Sequence, residues 1–333
     1  MEQHPRHMQR TSLNRLVIII INFRTPDLVQ DCLKSLRADV QASLGRVIVV
    51  DNDSGDGSVE RLTATIEEQG WQEWVSVLPQ KRNIGFAAGN NAALQCIFSN
   101  NYPNEFVWLL NPDTLVRKNA CKYLTDFLDR HSKVGIVGSR LEDIDGTTQV
   151  SAFRHHSIVS EFLAGIRLGY LDKLFAKYVV AQKPISDTPQ QTDWVAGASM
   201  MIRSEVFIQV GLLDEQYFLY FEEEDFCKKA VAAGWQCWYV PESQVVHLVG
   251  AASGFSDTRK KSPRRPSYWF ESRRRYFLKN YGKLTTSVAD FAWMAGYSIW
   301  RVRRFLQGKL DLDPPFFLKD FFSHSVFCKG FRL

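Results

Sequence analysis

The chain has 333 residues, of which 45% are hydrophobic and 23% charged. That balance excludes a disordered or fibrous chain and leaves room for one large domain or two modest ones around a substantial core. The net charge of +5 hides an asymmetry: residues 259–309 hold 14 Lys and Arg against 2 acids, a local +12, so the remainder sums to −7.

A basic block on an acidic body points to a polyanion partner: an anionic membrane surface, a diphosphate or a nucleic acid. The six cysteines are scattered with no CxxC pair. This argues against a zinc or dithiol site and reads as reduced thiols in a cytosolic protein. Residues 1–14 read as a polar, basic tail, and the apolar run after them is too short for a signal-peptide core.

Leu16 to Ile21 is a continuous branched apolar run, the pattern of a strand buried on both faces. Pro26 to Arg37 follows with Leu28, Val29, Cys32, Leu33 and Leu36 at helical spacing. A second buried strand, Val47 to Val50, ends in the turn "DNDSGDGS", and a helix is expected from Ser58. A third strand at Val75 to Leu78, a helix from Ala87 to Ser99, and a fourth strand at Phe106 to Leu110 complete an alternating β–α series. Such a series predicts right-handed βαβ units, an α/β doubly wound half over the first 115 residues. Leu141 to Asp193 is less regular. Trp194 to Ile202 reads as one buried strand, Ser204 as an N-cap, and Glu222 to Ala233 as a helix stopped by Gly234. "CWYVPESQVVH" reads as two short strands broken by Pro241. Composition changes near 255–262, where a boundary is expected.

In an open parallel sheet, ligands bind beyond the carboxyl ends of the strands. The polar residues stand there: Asn22 after the first strand, Asp51 and Asp53 after the second, "QKRNIGFAAGNN" after the third, Asn111 and Asp113 after the fourth. Either Asp51 or Asp53 could accept the N–H of a pyrimidine, though Asp53 equally suits a turn. In "RNIGF", Arg82 could pair with phosphate, Asn83 could donate to ribose or phosphate, and Gly85 would let the backbone approach a ligand. Phe86 reads as core. Trp194 could fill the core or stack on a sugar. "LYFEEEDFC" places Glu222, Glu223, Glu224 and Asp225 at a helix start, where the dipole favours anions. Glu222 and Asp225 share a face there, and Glu224 is expected to face solvent.

"IIIINFRTPDLVQDCLKSL", "VDNDSGDGS", "RNIGFAAGNN", "LLNPDT", "DWVAGASMMIRSEVFIQVGLLDEQYFLYFEEEDFC" and "YVPESQVVH", in this order over residues 15–255, resemble family 2 inverting glycosyltransferases. Within that family they look like bacterial dTDP-rhamnosyltransferases. The resemblance implies a GT-A fold, Rossmann-like, with a mostly parallel sheet flanked by helices. It implies a nucleotide-diphospho-sugar donor and a divalent cation, Mg²⁺ or Mn²⁺. It favours Asp51 for the base, sets Asp113 and His247 as metal ligands, and puts Glu223 in the place of the catalytic base, with Glu222 and Asp225 as the other catalytic candidates. "NPD" stands where the family has DxD, so Asn111 fits a ribose or outer-sphere contact. The expected division is 15–115 for nucleotide, 116–255 for acceptor and catalysis, and 256–333 for a basic, aromatic helical extension.

That extension interleaves cations with Tyr, Trp and Phe. Phe291 to Trp300 is too short to span a bilayer and reads as an interfacial helix, with Trp293, Met294, Tyr297 and Phe305 adding apolar surface. A helical appendage packed on the core is the alternative. The tail alone also fits single-stranded nucleic acid, but after these motifs no nucleic-acid partner is expected. The expected activity is inverting transfer of L-rhamnose from dTDP-L-rhamnose to a polyprenyl-diphosphate-linked saccharide at the cytoplasmic face of the inner membrane, in cell-surface polysaccharide assembly. A UDP-hexose or UDP-GlcNAc transferase and a non-catalytic nucleotide-sugar-binding protein remain alternatives.

Overall fold

The computed structural model describes residues 15–43, 45–99, 104–248 and 262–333. The expected tail and most of the expected boundary region lie outside them. The first half runs β1 (Leu16–Asn22), α1 (Pro26–Ser43), β2 (Arg46–Asp51), α2 (Ser58–Glu68), β3 (Val75–Pro79), α3 (Gly85–Ser99), β4 (Phe106–Leu110), β5 (Thr114–Val116) and α4 (Ala120–Arg130). The middle holds β6 (Val134–Glu142), β7 (Ala152–Phe153), α5 (Ile158–Ile166), α6 (Gly169–Leu174), β8 (Gln190–Thr192), β9 (Trp194–Val195), β10 (Ser199–Arg203) and α7 (Ser204–Val210). α8 (Glu222–Ala232), β11 (Gln236–His247), α9 (Ser267–Leu306), α10 (Phe317–His324) and α11 (Val326–Lys329) follow.

Among the described residues the main sheet has nine strands, in the order β3-β2-β1-β4-β10-β6-β11-β5, with β8 also on β11. β1 to β4 are parallel neighbours, and β10 runs antiparallel to both β4 and β6. The pleat of β1 explains its composition. Leu16, Ile18 and Ile20 face the layer of α1, α2 and α4, while Val17, Ile19 and Ile21 face that of α3, α7 and α8.

Several expectations change. The Trp194–Ile202 run is two strands, because Ala196 to Ala198 leave the ladder. Ser204 is the first helical residue, capped by Arg203. The segment around Pro241 is one twelve-residue strand, β11. Its register against β6 slips between Val240 and Gln244. The bulge accommodates a proline that has no N–H for the ladder.

The C-terminal helices pack on the sheet domain. α9 is kinked at Gly282, whose φ is 77°. α5 and α9 cross at Gly165 and Gly296. A Cβ on Gly165 would lie 2.5 Å from Trp293 O, and one on Gly296 would lie 2.7 Å from Phe162 O. Trp293 and Tyr297, expected on an interfacial face, are instead buried against Phe317 and Phe321. The Trp293 and Phe321 rings stack at 3.9 Å. The solvent side of α9 beyond the kink carries Leu284, Val288, Phe291, Ile299, Val302, Phe305 and Leu306, all exposed.

Among the described residues, six of the fourteen cations in the basic block hold ion pairs. Arg275 and Lys279 hold Asp214, Arg273 holds Glu161 and Asp290, Arg264 holds Asp320, and Arg301 and Arg304 hold Asp311. Part of the positive charge read from sequence therefore clamps the C-terminal helices to the rest of the chain. Among the described residues no helix is long and apolar enough to cross a membrane.

Candidate active site

β1 lies between β2 and β4, and Asn22 pairs in register with Asp51. Asn22, Asp51 and Asn111 therefore stand side by side at the strand ends, at the switch point where an open α/β sheet takes its ligand. Asn22 Nδ2 donates to Asp51 Oδ2 at 2.6 Å, and Ser54 Oγ and N donate to the same carboxylate. Asn22 and Asp51 are buried and their polar atoms tie down the loop. The loop in turn presents Asp53, exposed and in the left-handed region at φ 61°.

The next loop is pinned to this one. Asn52 Nδ2 donates to Asn83 Oδ1 and to Gly85 O, and Asn83 Oδ1 accepts from Gly85 N. Gly85 serves a different approach from the one its sequence context implied. A Cβ there would stand 2.4 Å from Phe218 O, and Phe86 N donates to that same carbonyl. The glycine lets the loop before α8 come close. Arg82 and Asn83 line a cavity of about 550 Å³ with Gln80, Ile84, Glu215 and Phe218.

At the other side of the crevice, Asn111 N donates to Ala198 O. The turn it begins brings Asp113 to His247 at the end of β11, where Nε2 lies 3.6 Å from Asp113 Oδ1. Thr114 in β5 is in register with His247 in β11, and this ladder fixes the approach. An oxygen and an imidazole nitrogen suit a divalent cation such as Mn²⁺ or Mg²⁺. Among the described residues no three or more His, Cys, Asp or Glu gather into a metal cluster. Two protein ligands are enough for a cation that takes its other ligands from substrate phosphates.

The four acids of α8 divide. Glu223 packs against Gly197, the residue before Ala198, so its side chain shares the rim with Asn111. Glu222 is 3% exposed, and Glu222 Oε2 and Glu223 Oε2 are both buried with no hydrogen-bond partner. Burial, reinforced by each other's or a neighbour's charge, pushes Glu222 well above the usual carboxylate range and Glu223 up to about 7.

The other two are occupied. Glu224 was expected in solvent but is 1% exposed. α9 and the 155–158 segment cover it. His156 N, His156 Nδ1 and the Tyr276 hydroxyl bond to its carboxylate, and His155 lies at 3.4 Å. Burial would raise its pKa, but the His156 charge and these bonds outweigh it and hold the group at about 2. Asp225 accepts from Tyr217, Lys279 and Asn280, so it anchors α9.

Tyr220 and Phe221, just before α8, have φ of 72° and 69°. Two bulky residues in the left-handed region make a strained entry to α8. Trp194 stacks on Phe153 at 4.2 Å and donates Nε1 to Arg154 O. Sequence reasoning passed over His155, His156 and Tyr276. The paired histidines of "FRHHS" were the available signal.

A doubly wound, mostly parallel sheet flanked by helices is the GT-A glycosyltransferase architecture. The chain belongs to the glycosyltransferase-like family 2, whose profile matches residues 14–277, and it is a glycosyltransferase. It is 24% identical over 214 residues to the N-acetylglucosaminyl-diphospho-decaprenol L-rhamnosyltransferase of Mycobacterium tuberculosis, covering 62% of this chain and 68% of that protein. It is 24% identical over 233 residues to the rhamnosyltransferase WbbL of Escherichia coli K12, covering 69% of this chain and 82% of that one. In structure it is similar to GalNAc-T7 with UDP, GalNAc and Mn²⁺ (TM-score 0.56, 15% identity, 89% of this chain and 57% of that one). It is also similar to the mannosyltransferase PcManGT of Pyrobaculum calidifontis with GDP-Man and Mn²⁺ (TM-score 0.54, 14% identity, 91% of this chain and 78% of that one).

Proposed function

We propose that this glycosyltransferase moves L-rhamnose from dTDP-L-rhamnose, with inversion, to a polyprenyl-diphosphate-linked saccharide during cell-surface polysaccharide assembly. The carrying observation is Glu223. Its Oε2 is buried with no hydrogen-bond partner, burial raises its proton affinity to about 7, and its side chain packs against Gly197, next to the Ala198 carbonyl that accepts from Asn111 N. In this reading the acceptor hydroxyl oxygen bonds to the anomeric carbon as the bond to the nucleotide diphosphate breaks. Glu223 takes the hydroxyl proton. Asp113 and His247 would hold Mg²⁺ or Mn²⁺, which would supply positive charge at the departing diphosphate. Asp51, or the exposed Asp53 two residues on in the same loop, would meet the base. Arg82, Asn83 and Asn111 flank the ribose and phosphates, and Trp194 with Phe153 offers a stacking wall for the acceptor sugar. The similarity to two rhamnosyltransferases supports the choice of donor.

The exposed apolar side of α9 supports placement at the cytoplasmic face of the membrane, where a lipid-linked acceptor would lie. The sheet domain, residues 15–255, carries the chemistry, and 256–333 would carry this surface. A donor panel with Mn²⁺ tests the sugar: release of dTDP from dTDP-L-rhamnose, with little turnover of UDP-glucose or UDP-GlcNAc, is expected. The reverse preference would overturn the rhamnose assignment.

A further inference from the structure

Behind the acids of α8 lies a histidine that the transfer chemistry does not itself use. His156 Nδ1 is 2.6 Å from Glu224 Oε2, and its backbone N donates to Glu224 Oε1 at 3.0 Å. Its own carbonyl accepts from the Tyr281 hydroxyl at 2.6 Å. The ring is boxed by Phe221, Tyr276 and Phe277. The charged and titratable groups facing it are Glu224 and Glu223 from α8, Glu161 from α5, Arg273, Tyr276 and Tyr281 from α9, and its neighbour His155. The 155–158 segment, α5, α8 and α9 thus meet at one imidazole.

We propose that His156 is a positioning residue for the transfer: it pairs with Glu224 directly behind Glu223, so that the chain's next carboxylate reaches Glu223 as half of a neutral ion pair and not as a bare charge. This rests on the reading of Glu223 as the base. Two adjacent buried carboxylates oppose each other's ionisation. An uncompensated Glu224 would keep Glu223 protonated and unable to take a proton at neutral pH. The directions agree. Glu224 raises the proton affinity of Glu223 and His156 lowers it, while Glu224 raises that of His156 against the effect of burial. The pair also ties the first turn of α8 to the 155–158 segment.

The test is ¹³C NMR of full-length protein labelled at the glutamate carboxyl, with E223Q assigning the Glu223 resonance, alongside the pH profile of dTDP-L-rhamnose turnover. H156Q is expected to move the Glu223 midpoint and the acidic limb of the profile up together by roughly one pH unit, a tenfold loss of ionised base at fixed pH. H156Q/E224Q removes both charges and should return the midpoint towards wild type, a rescue that a merely structural role would not give. If H156Q does not fold, E224Q alone decides: its midpoint should stay or fall, and a rise overturns the proposal. An unmoved midpoint in H156Q, or a double variant displaced further than the single, also overturns it. Should E223Q itself keep full turnover, the base assignment fails separately.

Discussion

Glu223 lies across Gly197: a Cβ on Gly197 would stand 3.6 Å from Glu223 Cβ and 3.9 Å from its Cδ. The next residue, Ala198, accepts the backbone N–H of Asn111. Two residues therefore separate the buried acid of α8 from the strand end that carries Asp113. If Glu223 is the base, E223Q keeps this packing and removes only the proton acceptor. Transfer should fall about 10²- to 10⁴-fold, the usual worth of a general base. Calorimetric affinity for dTDP with Mn²⁺ should change little. A variant that loses nucleotide affinity in proportion to rate would place Glu223 in binding instead.

The same burial makes a prediction for stability. Folded Glu222 and Glu223 bind protons more tightly than unfolded glutamate, which ionises near 4.3. The folded chain holds the extra protons, so stability falls as pH rises from about 4.3 through about 7. E222Q mimics the protonated form. Its calorimetric Tm should exceed that of wild type at pH 8 and match it at pH 4. Glu224 has the opposite sign. Held at about 2, it adds stability that is present above about 4.3 and lost as pH falls towards 2. E224Q should lower Tm at pH 7 and leave it unchanged at pH 2. Equal shifts at both pH values would contradict this.

Asp113 and His247 meet through the β5–β11 ladder. If they hold the cation, D113N and H247A should each raise the Mn²⁺ concentration for half-maximal turnover by on the order of 10- to 100-fold. Metal-free binding of dTDP should be spared. Manganese electron paramagnetic resonance titration with dTDP present reads this without turnover, and unchanged affinity in both variants would move the cation elsewhere.

The strands β1, β2 and β4 were readable because a strand buried on both faces is apolar at every position. β6 was not, because its sequence is interrupted by Gly135 and Gly138, which look like loop. Their reason is tertiary: a Cβ would meet Val206 at 2.7 Å and Val195 at 2.5 Å. α5 was hidden similarly, since its buried face is completed by α9 and its Gly165 answers Gly296 far along the chain. The strand-end residues were found because topology fixes where ligands go. Their division of labour was not, because it depends on which polar atoms are already used. Asp51 accepts from Asn22 and Ser54, and Glu224 from His156 and Tyr276. Helical spacing gave Glu224 an outer face, and only the position of α9 shows that this face is covered.

Gly85 has φ +83° and no room for a methyl group against Phe218 O. G85A should break the contact between the Arg82–Asn83 loop and the segment before α8. A cost of roughly 1–3 kcal/mol is expected from the strained backbone and lost hydrogen bond. Donor affinity should fall with it, because both loops border the crevice. Urea unfolding gives the first number and dTDP titration the second. A G85A protein as stable as wild type would mean that the loop can shift away freely.

The last prediction separates two kinds of aromatic residue on one helix. Trp293 is 5% exposed and stacked on Phe321, whereas Phe291 is 65% and Phe305 80% exposed. W293A should cost about 3–5 kcal/mol, the usual loss for a buried Trp. The exposed residues have no such packing to lose. Leu284, Phe291 and Phe305 changed together to Glu should leave urea stability near wild type. If the face rests on lipid, the triple variant should abolish co-flotation with vesicles of phosphatidylethanolamine and phosphatidylglycerol, because three charges would enter the acyl boundary. Sedimentation should also report a monomer both before and after the change. Wild-type protein that dimerises through this face, and dissociates on the triple substitution without binding vesicles, would assign the surface to a second copy of the chain.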